Sequence, residues 1–119
     1  AVNIAMTKQI QGGWKMRVIL FCGIGASSGF MAKSMQQYAN ANGLDLYVEA
    51  HSESEVENYI DDADVVMIGP HLAYLKDELD YYAKNHHKTI IVMKPEYYST
   101  LDGEKAIKHL NEVLNSNKE

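Results

Sequence analysis

Short apolar runs alternate with longer segments of helical period along most of this 119-residue chain. The run at residues 17–22 is β-branched and aromatic and ends at glycines, as expected of a strand buried on both faces. Three further runs have the same character, at residues 45–50, 64–68 and 89–93. The pattern therefore predicts four strands.

The segments between the strands repeat apolar residues every three or four positions, which is the period of an amphipathic helix. The first segment runs from Ser27 to about residue 42, and Gly43 is its stop signal. A capping box at residues 52–55 opens the second helix, Pro70 suits the entry of the third, and Asp102 caps the last. The predicted inward residues are Met31, Met35, Tyr38, Ala39, Val56, Tyr59, Ile60, Leu72, Leu75, Leu79, Tyr82, Ala83, Ala106, Ile107, Leu110, Val113 and Leu114.

Strands that alternate with helices predict a parallel sheet covered on both faces and joined by right-handed crossovers. We therefore expect an α/β fold over residues 16–119, built as a small doubly wound, four-stranded sheet. Such sheets bind ligands at the carboxyl ends of the strands, where the winding direction reverses. Three loops lie there, at residues 22–28, 69–74 and 94–102. Residues 1–15 show no periodicity, and we interpret them as a linker or a vector-derived segment.

The composition narrows the classes of protein that fit. A hydrophobic fraction of 46% and a charged fraction of 23% are typical of a packed domain. Sixteen acidic residues against eleven basic ones give a net charge of −5, which disfavours nucleic acid or an anionic membrane as partner. No apolar run approaches the ~20 residues of a membrane helix. Cys22 is the single cysteine, which excludes a disulfide framework and a cysteine-rich zinc site and favours a reducing compartment.

The loop after the first strand carries the candidate chemistry. Its first two glycines allow a sharp turn that aims backbone N–H groups inward, and the following helix N-terminus adds unpaired amides and a positive dipole end. A cysteine at a buried strand end often packs as a small hydrophobe, but the glycine-rich turn after Cys22 favours a thiolate nucleophile beside bound phosphate. The predicted phosphate-binding loop consists of Gly23, Ile24, Gly25, Ala26, Ser27, Ser28 and Gly29.

Known phosphate-loop patterns fit this loop poorly. Counting from Gly23, a dinucleotide fingerprint would need glycine or alanine where Ser28 stands, and no Gly-Lys-Ser/Thr follows to make a Walker loop. A Cys-x5-Arg phosphatase would need arginine at the same position, and the only arginine, Arg17, lies at the far end of the strand. Three functions stay open: a phosphoryl relay through the thiolate, a non-catalytic anion- or nucleotide-binding module, and a weak cysteine phosphatase.

Several motifs together point to one family. They are Leu20-Phe21-Cys22 followed by Gly25, Ser27 and Ser28, and the segments at residues 49–50, 63–70, 73–74 and 98–103. With these motifs the chain resembles the IIB components of the bacterial phosphoenolpyruvate-dependent sugar phosphotransferase system, lactose/cellobiose class. The family often has a Ser-Thr-Ser run where this chain has Ser27-Ser28-Gly29, so one potential side-chain donor is missing.

The resemblance implies that Cys22 accepts a phosphoryl group from a phosphohistidine on a IIA partner. It further implies transfer from Cys22 to a sugar bound by a membrane IIC permease, which mainly recognises the sugar. We expect a cytoplasmic monomer that docks transiently on the permease without inserting into the membrane, and that uses no metal or other cofactor. His71, Tyr74, Tyr97 and Tyr98 flank the predicted crevice, and we expect them to contact the partners.

Overall fold

The computed structural model describes residues 16–22, 27–86 and 88–116, and the structural statements below refer to these. The elements are β1 (Met16–Cys22), α1 (Ser27–Ala41), β2 (Leu46–Ser52), α2 (Val56–Tyr59), β3 (Val65–Ile68), α3 (Lys76–His86), β4 (Thr89–Val92), α4 (Pro95–Tyr98) and α5 (Gly103–Ser116). Three 3-10 segments supplement them, at Glu53–Glu55, Ile60–Asp62 and Pro70–Leu75. The four predicted strands are confirmed to within two residues at each end. None of the described helices is long and apolar enough to cross a bilayer.

The four strands form one parallel sheet in the order β2-β1-β3-β4. The chain therefore moves from β1 to one neighbour, then returns to the other side of β1 and continues outward. This confirms the predicted α/β fold with a four-stranded parallel sheet. The winding direction reverses between β1 and β3, and the carboxyl ends of these two strands mark the topological switch point.

Alternate residues of β1 point to opposite faces of the sheet and enter two separate cores. Val18, Leu20 and Cys22 belong to the core that α1 and α5 cover, whereas Ile19 and Phe21 belong to the core beneath α3. Because both faces are covered, the strand has no polar face. This explains why β1 reads as a continuous apolar run.

The predicted helix ends are confirmed at three places. Gly43 adopts a φ of +69° just after α1, a conformation that favours glycine. Ser52 and Glu55 form the capping box, which here opens a 3-10 turn before the short α2. Asp102 accepts a hydrogen bond from the N–H of Lys105 at 3.2 Å, as a helix cap does. The third helix differs from the prediction, since a 3-10 segment starts at Pro70 and α3 begins only at residue 76.

Candidate functional site

Cys22 is the last residue of β1, and it is 1% exposed at the carboxyl edge of the sheet. The adjacent strand ends are held in line with it by backbone hydrogen bonds. The N–H of Gly69, after β3, donates to the carbonyl of Phe21 at 3.1 Å, and the N–H of Met93, after β4, donates to that of Ile68 at 2.8 Å. Cys22 and Gly69 therefore flank the topological switch point, where doubly wound sheets bind ligands.

Gly69 brings a histidine close to the thiol of Cys22. A Cβ at position 69 would lie 3.6 Å from Cys22 Sγ, and 2.6 Å and 3.0 Å from Cε1 and Nδ1 of His71. The thiol and the imidazole thus both lie within 4 Å of the same point beside Gly69. Gly69 has φ −63° and ψ 156°, which any residue adopts, so the requirement for glycine here is steric. The predicted proximity of His71 to the crevice is matched by this geometry.

The ring of Tyr98, in α4, contacts the ring of His71. The two ring centroids are 6.1 Å apart, and the ring planes are inclined by 44°. This contact joins the loop after β3 to the segment after β4 at the same edge of the sheet. Tyr74 belongs to the same 3-10 segment as His71 and is 71% exposed. His71, Tyr74 and Tyr98 therefore remain candidates for contact with another protein.

Tyr97 occupies a different environment, and its expected role as a partner contact is not supported. It is 3% exposed and belongs to the core that also contains Cys22. Its hydroxyl lies 2.6 Å from Nδ1 of His109 in α5. Because α4 turns successive side chains to different sides, Tyr98 faces His71 while Tyr97 packs inward.

The predicted phosphate-binding loop lies partly outside the described residues. Gly23, Ile24, Gly25 and Ala26 lie outside the described residues, so their role stays a prediction. Helix α1 begins at Ser27, which places Ser28 and Gly29 in its first turn. That turn contains no acidic residue, so no carboxylate of the helix opposes its positive dipole end. A Cβ at position 29 would meet no atom within 4 Å, so neighbouring atoms do not require glycine there.

The arginine that a cysteine phosphatase would need is held elsewhere. Arg17 begins β1, and a separation of five residues along a strand corresponds to roughly 16 Å and to the opposite face of the sheet from Cys22. A guanidinium N–H of Arg17 donates to Oε2 of Glu49 at 2.9 Å. This is the only arginine in the sequence. The structure therefore agrees with the argument against efficient phosphatase chemistry.

Comparison with known proteins decides the family. The family model described as "PTS system, Lactose/Cellobiose specific IIB subunit" matches residues 17–109. The chain belongs to this family. The match contains Cys22 and every element from β1 to the middle of α5, so the resemblance inferred from the motifs is confirmed.

Individual IIB proteins agree with this assignment. The oligo-beta-mannoside-specific EIIB component of the Bacillus subtilis phosphotransferase system is 29% identical over 90 residues, covering 76% of this chain and 87% of that protein. The solution structure of the cellobiose-specific IIB component from Borrelia burgdorferi has a TM-score of 0.66 at 27% identity, covering 87% of this chain and 94% of the other. The lactose-specific IIB domain from Streptococcus pneumoniae has a TM-score of 0.75 at 16% identity, covering 82% and 96%, which shows the shared fold.

This IIB subunit also has a buried tyrosine–histidine pair that its sequence did not reveal. Burial raises the pKa of Tyr97 to about 12, and burial together with the charge of Lys94 lowers the pKa of His109. The hydrogen bond between them therefore joins a neutral phenol to a neutral imidazole near pH 7. The sequence signal was weak, since His109 is a polar residue at the border of an apolar helix face and its partner lies on another helix.

A second polar cluster lies on the β1–β2 side of the sheet, on the face opposite Cys22. His51 stacks on Tyr59 with ring centroids 3.6 Å apart, and its nitrogens lie 3.4 Å from a Glu49 oxygen and 3.6 Å from a Glu55 oxygen. The hydrogen bond that the Arg17 guanidinium donates to Glu49 raises the pKa of Arg17. The alternation of charged with apolar residues along β2 is its only sequence signal. The polar cluster lies on the face opposite Cys22, so we assign it to the stability of the sheet edge and not to the site at Cys22.

Proposed function

We propose that this IIB subunit carries a phosphoryl group on Cys22 between two proteins. The donor is a phosphohistidine on a IIA protein, and the acceptor is a sugar hydroxyl presented by a membrane IIC permease during uptake. The observation that supports this best is the position of Cys22, the single cysteine, at the topological switch point of a IIB fold. Burial of the side chain is compatible with a packing role, but packing does not explain its place at the ligand-binding edge.

Each transfer exchanges one bond to phosphorus for another. In the first step the Cys22 thiolate attacks phosphorus, the S–P bond forms, the P–N bond of the phosphohistidine breaks, and the leaving imidazole nitrogen takes a proton. In the second step the sugar oxygen attacks phosphorus, the O–P bond forms and the S–P bond breaks, so the thiolate leaves and the hydroxyl proton passes to water. Little covalent chemistry is left for other residues, so positioning and charge stabilisation determine the rate.

The loop after Cys22 supplies that stabilisation in our proposal. Backbone amides of residues 23–29 and the N-terminus of α1 hold the phosphoryl oxygens, in the way helix N-termini bind anions. Since the family often has a further hydroxyl where Gly29 stands, we assign this role to the backbone more than to side chains. With Arg17 held on the opposite face by Glu49, the site retains the phosphoryl group and does not promote its hydrolysis.

The two partners use the same end of the molecule in turn, because one thiol has to meet both. His71, Tyr74 and Tyr98 surround this end, and we propose them as contacts for IIA and IIC. The protein acts in the cytoplasm and docks on the cytoplasmic side of the permease. The relatives are named for oligo-beta-mannosides, lactose and cellobiose, so family membership does not specify one sugar, and we assign the choice of sugar to IIC.

The experiment is phosphoryl transfer from a purified IIA protein that carries radioactive phosphohistidine. We expect one acid-stable, thiol-linked phosphate per IIB chain, and none in Cys22→Ser. Circular dichroism of Cys22→Ser and of Cys22→Ala checks that loss of label is not loss of fold. Label that survives Cys22→Ser contradicts the proposal. Tight nucleotide binding that does not change in Cys22→Ala would instead favour a non-catalytic binding module. Steady turnover of an aryl phosphate would favour a phosphatase.

A further inference from the structure

The approach of His71 to Cys22 has a consequence for the phosphorylated protein. Sγ and the imidazole atoms Nδ1 and Cε1 all lie within 4 Å of the point where a Cβ of residue 69 would stand. Residue 69 is glycine, so no side chain of its own separates this point from the thiol and the ring. His71 is an exposed residue, and its ring also contacts that of Tyr98.

A phosphoryl group on Cys22 would come within hydrogen-bonding reach of the imidazole of His71. A phosphoryl group on sulfur carries its oxygens roughly 3 Å from Sγ, and a hydrogen bond to a ring nitrogen adds about 2.8 Å more. Sγ and Nδ1 are at most about 6.6 Å apart, because they lie 3.6 Å and 3.0 Å from the same point. The imidazole therefore stands where a phosphoryl oxygen on Cys22 comes within its reach.

The charge of the site gives this hydrogen bond its importance. A phosphoryl group adds roughly two negative charges to a chain whose net charge is already −5. The guanidinium of Arg17 cannot offset them, because it is paired with Glu49 on the opposite face. An N–H donor on an ionised oxygen makes one of the stronger hydrogen bonds in proteins. His71 is the donor that the described residues place beside the sulfur.

We propose that His71 is a further catalytic residue, whose ring N–H donates a hydrogen bond to an oxygen of the phosphoryl group on Cys22. This inference rests on the proposed function, since it takes Cys22 as the phosphoryl carrier. The proton stays on His71 throughout, and the bonds that form and break are those at phosphorus. Tyr98 is a positioning residue, because its ring contacts that of His71 at a centroid distance of 6.1 Å.

The test separates a hydrogen bond to phosphate from a contact to a partner protein. Wild type, His71→Leu and His71→Gln are labelled by phospho-IIA in single-turnover reactions at saturating IIA, and the ³¹P resonance of each isolated phosphoprotein is recorded. Leucine removes the donor, whereas glutamine retains an N–H donor without an imidazole. His86→Leu is the matched control, since His86 is an exposed histidine near the end of α3.

We expect His71→Leu to slow labelling at saturating IIA by roughly tenfold to a hundredfold, and to displace the ³¹P resonance. His71→Gln should restore most of the rate, and His86→Leu should match wild type. If His71→Leu only raises the IIA concentration needed for half-saturation, with its saturated rate and ³¹P resonance unchanged, His71 is a docking contact and the inference is wrong. If wild type itself takes no phosphate on Cys22, the proposed function fails and the inference fails with it.

Discussion

Gly103 begins α5 in direct contact with the backbone of Ser34 in α1. Its N–H donates to Ser34 Oγ at 2.9 Å, and a Cβ at position 103 would stand 2.4 Å from the carbonyl carbon and oxygen of Ser34 and 2.6 Å from the nitrogen of Met35. All three atoms belong to the backbone, so no side-chain rotation could relieve the overlap. Since α1 starts at the loop after Cys22, this contact also fixes the helix whose N-terminus faces the proposed site.

Gly103→Ala should therefore lower the free energy of unfolding by about 1–3 kcal/mol or more, because α1 and α5 have to separate. The gain in helix propensity, at most about 1 kcal/mol, opposes this loss but does not outweigh it. The control is Gly29→Ala in α1, where a Cβ meets nothing within 4 Å and we expect equal or higher stability. Urea denaturation measures both variants, and equal midpoints would show that the helices do not approach so closely.

The ion pair between Arg17 and Glu49 should contribute more to stability than the exposed pair between Lys108 and Glu104. Both have N–O distances of 2.9 Å, but Glu49 is mostly buried between strand neighbours, whereas the other pair lies on the surface of α5. We expect Glu49→Gln to cost about 1–2 kcal/mol of unfolding free energy, and Glu104→Gln to leave that free energy nearly unchanged. Chemical denaturation at low and high salt is the measurement. Equal losses in the two variants would contradict this.

Stability above pH 10 should depend on Tyr97. Burial raises its pKa to about 12 in the folded protein, above the value near 10 of an unfolded tyrosine. Between these two pH values the unfolded chain loses the tyrosine proton and the folded chain keeps it. The contribution of Tyr97 to the free energy of unfolding is therefore fully present below pH 10 and is lost as the pH rises towards 12. Tyr97→Phe should cost about 1 kcal/mol near pH 7, through the lost hydrogen bond to His109, and should show a shallower alkaline decline. If stability declines equally in Tyr97→Phe and in wild type above pH 10, the phenol is exposed to water and the prediction is wrong.

Stability below pH 6.5 should depend on His109. Burial, and next the charge of Lys94, lower the pKa of His109, so the folded protein binds fewer protons than the unfolded chain just below pH 6.5. Its contribution is therefore present above pH 6.5 and is lost as the pH falls through the lowered pKa. We expect His109→Gln to flatten the decline of stability on this acid side.

NMR titration of the His109 ring tests the charges that surround it. Lys94→Met removes a positive charge and should raise the pKa of His109, whereas Glu112→Gln removes a negative charge and should lower it. The two expected pKa shifts have opposite signs, so a general loosening of α5 cannot account for both of them. Shifts in the same direction would contradict the assigned causes.

The order of elements could be predicted from the sequence because it depends on neighbours along the chain. The apolar run at residues 17–22 and the stop at Gly43 are local signals, and the structure confirms both. The short α4 was not predicted, because four residues starting at Pro95 are too few to show a helical period. Tyr97 was predicted as a contact to a partner protein because nothing in the local sequence distinguishes it from Tyr98.

What the sequence by itself determined was the alternation of strands and helices, the parallel sheet that follows from it, and the family, through motifs around Cys22. What only the tertiary structure decided was which distant residues meet. Cys22 and His71 come together beside Gly69 because the crossovers place separate strand ends at one edge, and Tyr97 of α4 pairs with His109 of α5. The periodicity of the sequence shows which residues face the core. It carries no information about which residue of another element will contact each of them.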